Sequence, residues 1–199
     1  MQPIDIDQLL VDAKDGDNSA IGQLLERYRP YLRLMAQRDL DQRMQARLDA
    51  SDVVQQTFLE AQRDLVGFRG EAEGELIAWL RRILKNNVAE EVDRHLAAQK
   101  RSANREQGQA PPGDGAAVPT VERLPADQSS PSQRAMRGEA AIRLAWAIDQ
   151  LPETQREAIR LRHLEGMALA MISERMEKSE MAVAGLLKRG LKGLREALT

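Results

Sequence analysis

The stretch ELIAWLRRILKNNVAEEVDRHLAAQKRSANRE, at residues 75–106, decides the fold class of this chain. It follows a glycine-punctuated loop, FRGEAEG at 68–74, and predicts one long helix. The 199 residues include only two Trp, two Tyr and two Phe and few β-branched residues, whereas Ala, Leu, Glu, Arg and Gln are abundant. This composition favours helix over sheet, so we predict an all-α protein.

Helical periodicity continues on the N-terminal side of that stretch. Apolar residues from position 21 follow the spacing i, i+3, i+4, i+7, after a turn and N-cap in GDNS at 16–19. We expect Pro30 near a kink or the end of this helix. A second helix is predicted in SDVVQQTFLEAQRDL at 51–65, capped by Ser51 or Asp52. The apolar positions are Ile21, Leu24, Leu25 and Tyr28 in the first helix and Val53, Val54, Phe58 and Ala61 in the second.

Residues 107–133, QGQAPPGDGAAVPTVERLPADQSSPSQ, divide the chain. The segment is rich in Gly, Pro, Ala and Ser and has no apolar period, which predicts a flexible linker. We therefore expect two small helical domains, an N-terminal helical bundle at 1–106 and a C-terminal helix-turn-helix bundle at 134–199.

The C-terminal domain is predicted to begin with a helix from Met136 to Gln150. A second helix follows Pro152 and ends at Gly166. Helices at 168–176 and 181–198 flank a tight turn, as in a helix-turn-helix. The periodic apolar positions of the first helix are Ala140, Leu144, Ala147, Ile148 and Leu151.

Several classes of protein are excluded. Zero cysteine excludes a disulfide scaffold, a thiolate zinc site and a cysteine nucleophile. No apolar run approaches the roughly 20 residues of a membrane span, and the start is acidic, so we expect a cytoplasmic protein without membrane insertion. There is no P-loop, no glycine-rich dinucleotide turn, no Ser/His/Asp set and no HExxH. We expect no enzyme activity, no catalytic residue, no metal and no cofactor.

The formal net charge of −2 hides opposed local charges. Residues 1–75 carry nine Lys/Arg against fifteen Asp/Glu, whereas 76–106 carry seven against four and 151–199 carry nine against seven. An acidic segment suits a protein partner, and basic segments suit a polyanion, although ordinary charge fluctuation along a solvated helical protein explains the sums more simply. Net charges of only +3 and +2 predict weak DNA binding by the free protein, because counterion release scales with the phosphates neutralised.

Four stretches resemble the small, two-domain sigma factors of bacterial RNA polymerase, the extracytoplasmic-function (ECF) class of the sigma-70 family. Their order and spacing match the family over almost everything outside the linker. The resemblance implies a protein that directs the polymerase core to specific promoters and initiates transcription by recognising and melting promoter DNA. The stretches are GDNSAIGQLLERYRPYL at 16–32, DVVQQTFLEA at 52–61, FRGEAEGELIAWLRRILKNNVAEEVDR at 68–94 and LPETQREAIRLRHLEGMALAMISERM at 151–176.

The resemblance implies that the helix at 52–61 docks on a coiled coil of the β′ subunit, with Gln55 central to the contact. The core-binding residues implied are Asp52, Gln55, Gln56 and Leu59. They fall at i, i+3, i+4 and i+7, so they share one polar helical face with an apolar anchor. Without the resemblance, the Gln pair is explained as part of a solvated helix surface. The β subunit is the other expected contact within the core.

Minus-ten recognition is implied for the loop at 68–74 and the helix that follows it. In the family the loop captures a flipped base, and extraction of a base costs a few kcal/mol that phosphate contacts help to offset. The acids Glu71, Glu73 and Glu75 either bond to base edges or point to solvent, and Trp79 either packs in the core or stacks on melted DNA. The expected DNA-binding residues are Arg69, Arg81, Arg82, Lys85, Asn86, Asn87, Arg94, Lys100 and Arg101.

Minus-thirty-five recognition is implied for the helix-turn-helix, where the sequence departs from the family pattern. Ala184, Gly185 and Leu186 stand where family members place basic and hydroxyl residues, each contact being worth about 1–3 kcal/mol. Either the helix still enters the major groove, with Gly185 permitting close approach, or the domain has become an interaction platform. The residues expected to contact DNA are Lys178, Ser179, Lys188, Arg189 and Lys192.

The linker length bears on this arrangement. Twenty-seven flexible residues have an r.m.s. span of roughly 30 Å and a contour limit near 90 Å. Two promoter elements about two helical turns apart lie on the order of 70 Å from each other. The linker can therefore connect two DNA-bound domains, but only when it is stretched.

Two other functions remain open. One is a sigma-derived helical adaptor, which residues 184–186 favour, and the other is a helix-turn-helix regulator without initiation activity. The segments at 52–61 and 68–82 argue against a simple regulator, since a repressor does not need them. Family members are often held by an anti-sigma protein, so the resemblance makes such a protein a candidate partner.

Overall fold

The computed structural model describes residues 5–40, 48–106 and 131–199, with side chains at 5–40, 48–98 and 138–199. These residues form eight α-helices and no strand, which confirms the predicted all-α class. The helices are α1 (Ile6–Lys14), α2 (Asn18–Asp39), α3 (Ala50–Asp64), α4 (Glu73–Glu106), α5 (Pro131–Asp149), α6 (Glu153–Ile159), α7 (Leu169–Arg175) and α8 (Glu180–Leu198). We call residues 5–106 the N-terminal half and residues 131–199 the C-terminal half.

Helices α1 to α4 pack around one core in the N-terminal half. The predicted apolar positions of α2 and α3 are all buried in it. Of the two alternatives expected at Pro30, a kink or the end of the helix, the second is wrong, since α2 continues to Asp39. Pro30 is itself buried in the helix, between Tyr28 and Tyr31, so packing on both sides outweighs the backbone hydrogen bond that proline cannot donate.

Helix α3 is capped earlier than predicted. Its N-cap is Asp49, not Ser51 or Asp52, and the Asp49 carboxylate accepts from the Ser51 backbone N–H at 2.8 Å. Asp52 is therefore left on the first turn, where its charge is favourable at the N-terminal end of the helix dipole.

Helix α5 begins earlier than the predicted Met136. It begins at Pro131, so the last three residues assigned to the linker are helical, while 107–130 lie outside the described residues. Proline is tolerated in the first turn because its missing N–H has no partner there. The helix packs on α8 of its own half and also on α2 and α4 of the N-terminal half. Its apolar period predicted only one buried side.

Helices α6 to α8 form the core of the C-terminal half with the end of α5. A π-helical segment, Arg160–Leu164, continues α6, and Gly166 then takes a φ of +69°, which glycine adopts without strain. Arg160 is 9% exposed and pairs with Glu157 at 2.6 Å and with Glu165, so buried charges are neutralised at this turn. Among the described residues, no helix is both long and apolar enough to span a membrane.

Candidate protein and nucleic-acid interfaces

The exposed side of α3 carries all four residues expected to bind polymerase. Asp52, Gln55, Gln56 and Leu59 are exposed, whereas the neighbouring apolar residues of the helix are buried. Leu59 is 55% exposed, so its side chain contributes little to the core of this half. A polar helix surface that includes an exposed apolar side chain is typical of a protein interface.

Val66 adds a second exposed apolar side chain that the sequence analysis missed. It lies in the 3₁₀ turn Leu65–Gly67 after α3, seven residues beyond Leu59, and is 71% exposed. The i+7 spacing from Leu59 indicates that Val66 lies on the same side as Leu59, although Val66 follows the end of the predicted helix at 51–65.

The Gln56 end of this surface borders an acidic cavity of about 450 Å³ between α3 and α4. Its lining includes Asp49, Asp52, Glu90 and Glu91, with Arg94 as its one basic residue. This excess of negative charge suits a partner that presents basic side chains.

Asn87 must be removed from the expected DNA-binding residues. It is 5% exposed, and its amide Nδ2 donates to Oγ1 of Thr57 at 3.2 Å. The Thr57 hydroxyl in turn donates to the Val53 carbonyl at 2.8 Å. A buried polar pair is stable only when it is hydrogen-bonded, so these residues join α3 to α4.

The loop before α4 folds over an aromatic pair. The ring centroids of Phe68 and Trp79 are 5.0 Å apart, and both rings pack against the N-terminal core. Of the two roles considered for Trp79, this contact favours packing in the core. Gly70 lies against the Phe68 ring, because a Cβ added to Gly70 would be 2.2 Å from Cζ of Phe68. Lys14 Nζ donates to the Gly70 carbonyl at 3.2 Å and ties the loop to α1.

Glu73 is bonded within the protein, an alternative that the sequence did not suggest. The Tyr28 hydroxyl donates to Glu73 Oε1 at 2.9 Å, and Arg27 Nε lies 3.8 Å from the same oxygen. Burial, followed by the negative charge of Glu73, raises the pKa of Tyr28, so the phenol remains a hydrogen-bond donor.

Glu75 caps the loop that precedes it. Its Oε2 accepts from the backbone N–H groups of Glu71 and Ala72 at 2.9 and 3.3 Å. These bonds hold the pKa of Glu75 below its usual value. Two of the three acids beside the expected base-binding loop therefore shape it.

Helix α4 presents a basic surface next to this loop. Arg81, Arg82, Lys85 and Asn86 are all exposed, and one turn separates Arg81 from Lys85 and Arg82 from Asn86. Arg69 is exposed in the loop itself. The structure thus places five of the expected DNA-binding residues along one continuous segment of chain.

The remaining three residues expected there differ in position. Arg94 is exposed and pairs with Glu91 of the preceding turn. Lys100 and Arg101 lie within α4, but their side chains are outside the described residues.

In the helix-turn-helix, the residues expected to contact DNA lie just before α8 and in its middle, and all are exposed. Ser179 is the N-cap of the helix and accepts from the Ala182 N–H at 3.2 Å. Lys178 precedes Ser179, and Lys188 lies more than two turns further along the helix. Lys192 Nζ lies 3.6 Å from Glu196 Oε1.

Arg189 is positioned by the glycine one turn before it. A Cβ added to Gly185 would lie 3.3 Å from Nη1 of Arg189, so the guanidinium rests over the glycine. The space that we expected to admit DNA is therefore used by a side chain of the helix. Between these basic residues, Met181 is 86% exposed, which leaves an apolar start to the recognition helix.

Among the described residues, no group of three or more His, Cys, Asp or Glu is arranged to hold a metal ion.

Comparison with known proteins identifies relatives of this chain. The chain is 33% identical over 172 residues to the ECF RNA polymerase sigma-E factor of Haemophilus influenzae, covering 86% of this chain and 84% of that protein. This chain belongs to the ECF sigma factors. The sigma-E factor of Escherichia coli K12 is 29% identical over 177 residues, covering 86% of this chain and 83% of that relative.

Two family models match parts of this sigma factor. The model described as sigma-70, region 4, matches residues 142–194, and a helix-turn-helix domain model matches residues 7–61. The first match covers most of α5 to α8, and the second begins in α1 and ends in α3.

Solved structures similar to this sigma factor include chains of the RsbN–BldN complex and of CnrH with the cytosolic domain of CnrY. The first is 21% identical with a TM-score of 0.32 and covers 94% of this chain and 97% of that one. The second is 22% identical with a TM-score of 0.32 and covers 96% of each chain.

Proposed function

We propose that this sigma factor binds the polymerase core through the exposed surface formed by Asp52, Gln55, Gln56 and Leu59. As a sigma factor, it directs RNA polymerase to promoters. The observation that carries the assignment is the position of Leu59, which is 55% exposed one helical turn after the exposed Gln55 and Gln56, on a helix whose other large apolar side chains are buried. The acidic cavity beside it favours a basic helical segment of the β′ subunit as the partner.

The test is a pull-down of polymerase core with the variant Asp52→Ala/Gln55→Ala. Loss of central interface residues should weaken binding at least tenfold, which corresponds to about 1.4 kcal/mol. The matched control is Gln8→Ala/Asp12→Ala, which removes an exposed Gln–Asp pair from α1, where Gln8 Nε2 donates to Asp12 Oδ1 at 2.7 Å. Unchanged core affinity in a folded Asp52/Gln55 variant would reject the assignment.

We propose further that Arg69, Arg81, Arg82, Lys85 and Asn86 contact promoter DNA at the minus-ten element. The loop at 68–74 is held by the hydrogen bonds from Lys14 to Gly70 and from the Glu71 N–H to Glu75, and the basic residues of α4 follow it. Arginine and lysine neutralise phosphates near a base that leaves the stack. Arg94, Lys100 and Arg101 extend the same helix toward upstream duplex DNA.

For the minus-thirty-five element, we propose that Lys188 and Arg189 are the principal contacts, with Lys178 and Lys192 contacting phosphates. Footprinting separates this from the alternative of an interaction platform, which the exposed Met181 favours. Protection that is unaffected by Lys188→Ala and Arg189→Ala would favour the platform.

The remaining assignments follow from the family. We infer that the protein acts by binding and catalyses no reaction itself, and that it works in the cytoplasm with RNA polymerase. We also expect an anti-sigma protein that covers the polymerase-binding or DNA-binding surface.

A further inference from the structure

The first two turns of the recognition helix α8 have an apolar outer side. Val183 and Leu186 are buried in the C-terminal half. Met181 is 86% exposed, and Ala184 is exposed as well. Because Met181 and Ala184 are three residues apart, they occupy neighbouring positions on one face of the helix. We call the surface formed by these two side chains the methionine patch.

The methionine patch contributes little to the packing of the C-terminal half. Met167 is 6% exposed and Met176 packs against the same core as Val183, whereas the side chain of Met181 projects into solvent. A thioether side chain is flexible and polarisable, so it adapts to apolar groups of irregular shape. Met181 is therefore available for a contact outside the chain.

The charge around the patch favours DNA as its partner. Residues 178–192 carry four basic residues and one acidic residue. Lys188 lies seven residues after Met181, about two turns further on the same side, and Lys192 follows one turn later. Glu180 precedes Met181, but each residue turns the helix by about 100°, so Glu180 lies beside this face. An apolar patch that continues into a basic stripe suits a polyanion that also carries apolar groups.

The major groove of DNA offers one such apolar group. A helix-turn-helix places the N-terminal residues of its recognition helix against base edges, and Met181 lies in the first turn of α8. The apolar group that a base presents in this groove is the C5-methyl of thymine. We propose that the methionine patch contacts the C5-methyl group of a thymine in the minus-thirty-five element, with Met181 as a base-specificity residue. This inference rests on the proposed function, because it takes α8 to enter the groove.

A hydrogen-bond donor lies next to the methionine patch. Gly185 follows Ala184, and a Cβ added to Gly185 would lie 3.3 Å from Nη1 of Arg189. Arginine is the commonest donor to O6 and N7 of guanine, whereas apolar side chains contact thymine. The exposed side of α8 thus combines the two kinds of group with which side chains distinguish bases.

Replacement of thymidine by deoxyuridine tests the methyl contact directly, because it removes only the C5-methyl group and keeps the base pair. The probe is a promoter from which the holoenzyme initiates, with uracil placed in turn at each thymine of the protected upstream element, on either strand. We expect holoenzyme binding to weaken about fourfold at one or more positions, the factor for burial of one methyl-sized group. Equal affinity for all of these promoters would overturn the proposal.

Variants assign the effect to the side chain. Met181→Ala should keep the wild-type melting temperature, since the side chain is exposed, and should lose most of the preference for thymine over uracil. Met181→Leu keeps an apolar side chain and should retain the preference. The matched control is Met171→Ala, which shortens a methionine that is 51% exposed in α7 and should retain the full preference. An undiminished preference in Met181→Ala would overturn the contact.

Failure of this inference differs from failure of the proposed function. If Lys188→Ala weakens protection of the upstream element but uracil has no effect, α8 enters the groove and only the thymine contact is wrong. If protection is unaffected by Lys188→Ala and Arg189→Ala, the groove assignment fails and the thymine contact fails with it. Weaker binding of polymerase core by Met181→Ala, without any uracil effect, would assign the patch to a protein partner instead.

Discussion

The loop of the N-terminal half and the recognition helix of the C-terminal half are held in different ways. The loop depends on residues distant in sequence, since Lys14 bonds to Gly70 and Tyr28 to Glu73. Helix α8 depends on neighbours, since Ser179 caps it and Arg189 rests on Gly185. Contacts from distant parts of the N-terminal fold therefore shape the expected minus-ten surface, whereas the contacts that cap α8 and place Arg189 are local in sequence.

The largest effect is expected from Gly70→Ala. The new Cβ would lie 2.2 Å from Cζ of Phe68, so the loop must move, at a cost of about 1–3 kcal/mol. Promoter melting, measured by permanganate footprinting of holoenzyme, should fall strongly while core binding is kept. Gly67→Ala is the control, because nothing lies within 4 Å of a Cβ added there. Equal promoter melting by both variants would show that the loop does not need the packing contact of Gly70 with the Phe68 ring.

A second prediction concerns the attachment of α3 to α4. Thr57→Val removes the partner of the buried Asn87 amide, and leaving such a group unsatisfied costs about 1–3 kcal/mol of unfolding free energy. Thr57→Val/Asn87→Leu removes both polar groups and should recover part of the loss in urea unfolding. Additive losses in the double variant would contradict the coupling between the two residues.

A smaller effect is expected in the recognition helix. Gly185→Ala should stabilise α8 by up to about 1 kcal/mol, because alanine favours helix more than glycine does. The guanidinium of Arg189 must then shift slightly away from residue 185, which a flexible side chain can do at little cost. We expect a higher melting temperature and a changed minus-thirty-five footprint. If the footprint changes as much as in Arg189→Ala, the glycine is needed to position the arginine.

The smallest effect is expected from the Glu75 cap. Since its pKa is lowered in the folded state, Glu75 contributes stability above its ordinary pKa, and this is lost as the pH falls through the lowered value. Glu75→Gln should therefore show a shallower loss of stability on acidification than the wild type. Identical acid unfolding curves would mean that the two backbone hydrogen bonds add nothing to stability.

The sequence predicted the helices better than it predicted their packing. The apolar spacing at 21–28 correctly predicted the buried residues of α2, because that part of the helix has one apolar side. In α5 the same rule failed, since Ala140 and Leu144 are exposed while Ile142 and Ala145 are buried against the other half. A helix with two buried sides has no single apolar period to detect.

The candidate site was predictable where a residue's role depends on its helix face. Asp52, Gln55, Gln56 and Leu59 are exposed together because the helix spacing requires it. Asn87 was misassigned because an amide on a basic helix looks like a DNA contact until Thr57 is placed beside it. The hydrogen bonds accepted by Glu73 and Glu75 could not be predicted from the sequence either, since each depends on the fold of the loop.

The most direct test of the central claim is transcription from a promoter library by purified polymerase core with this protein. We predict initiation from a subset of promoters, and loss of that initiation in the Asp52→Ala/Gln55→Ala variant but not in Gln8→Ala/Asp12→Ala. Absence of initiation by the folded protein at every promoter tested would contradict the claim and favour an adaptor.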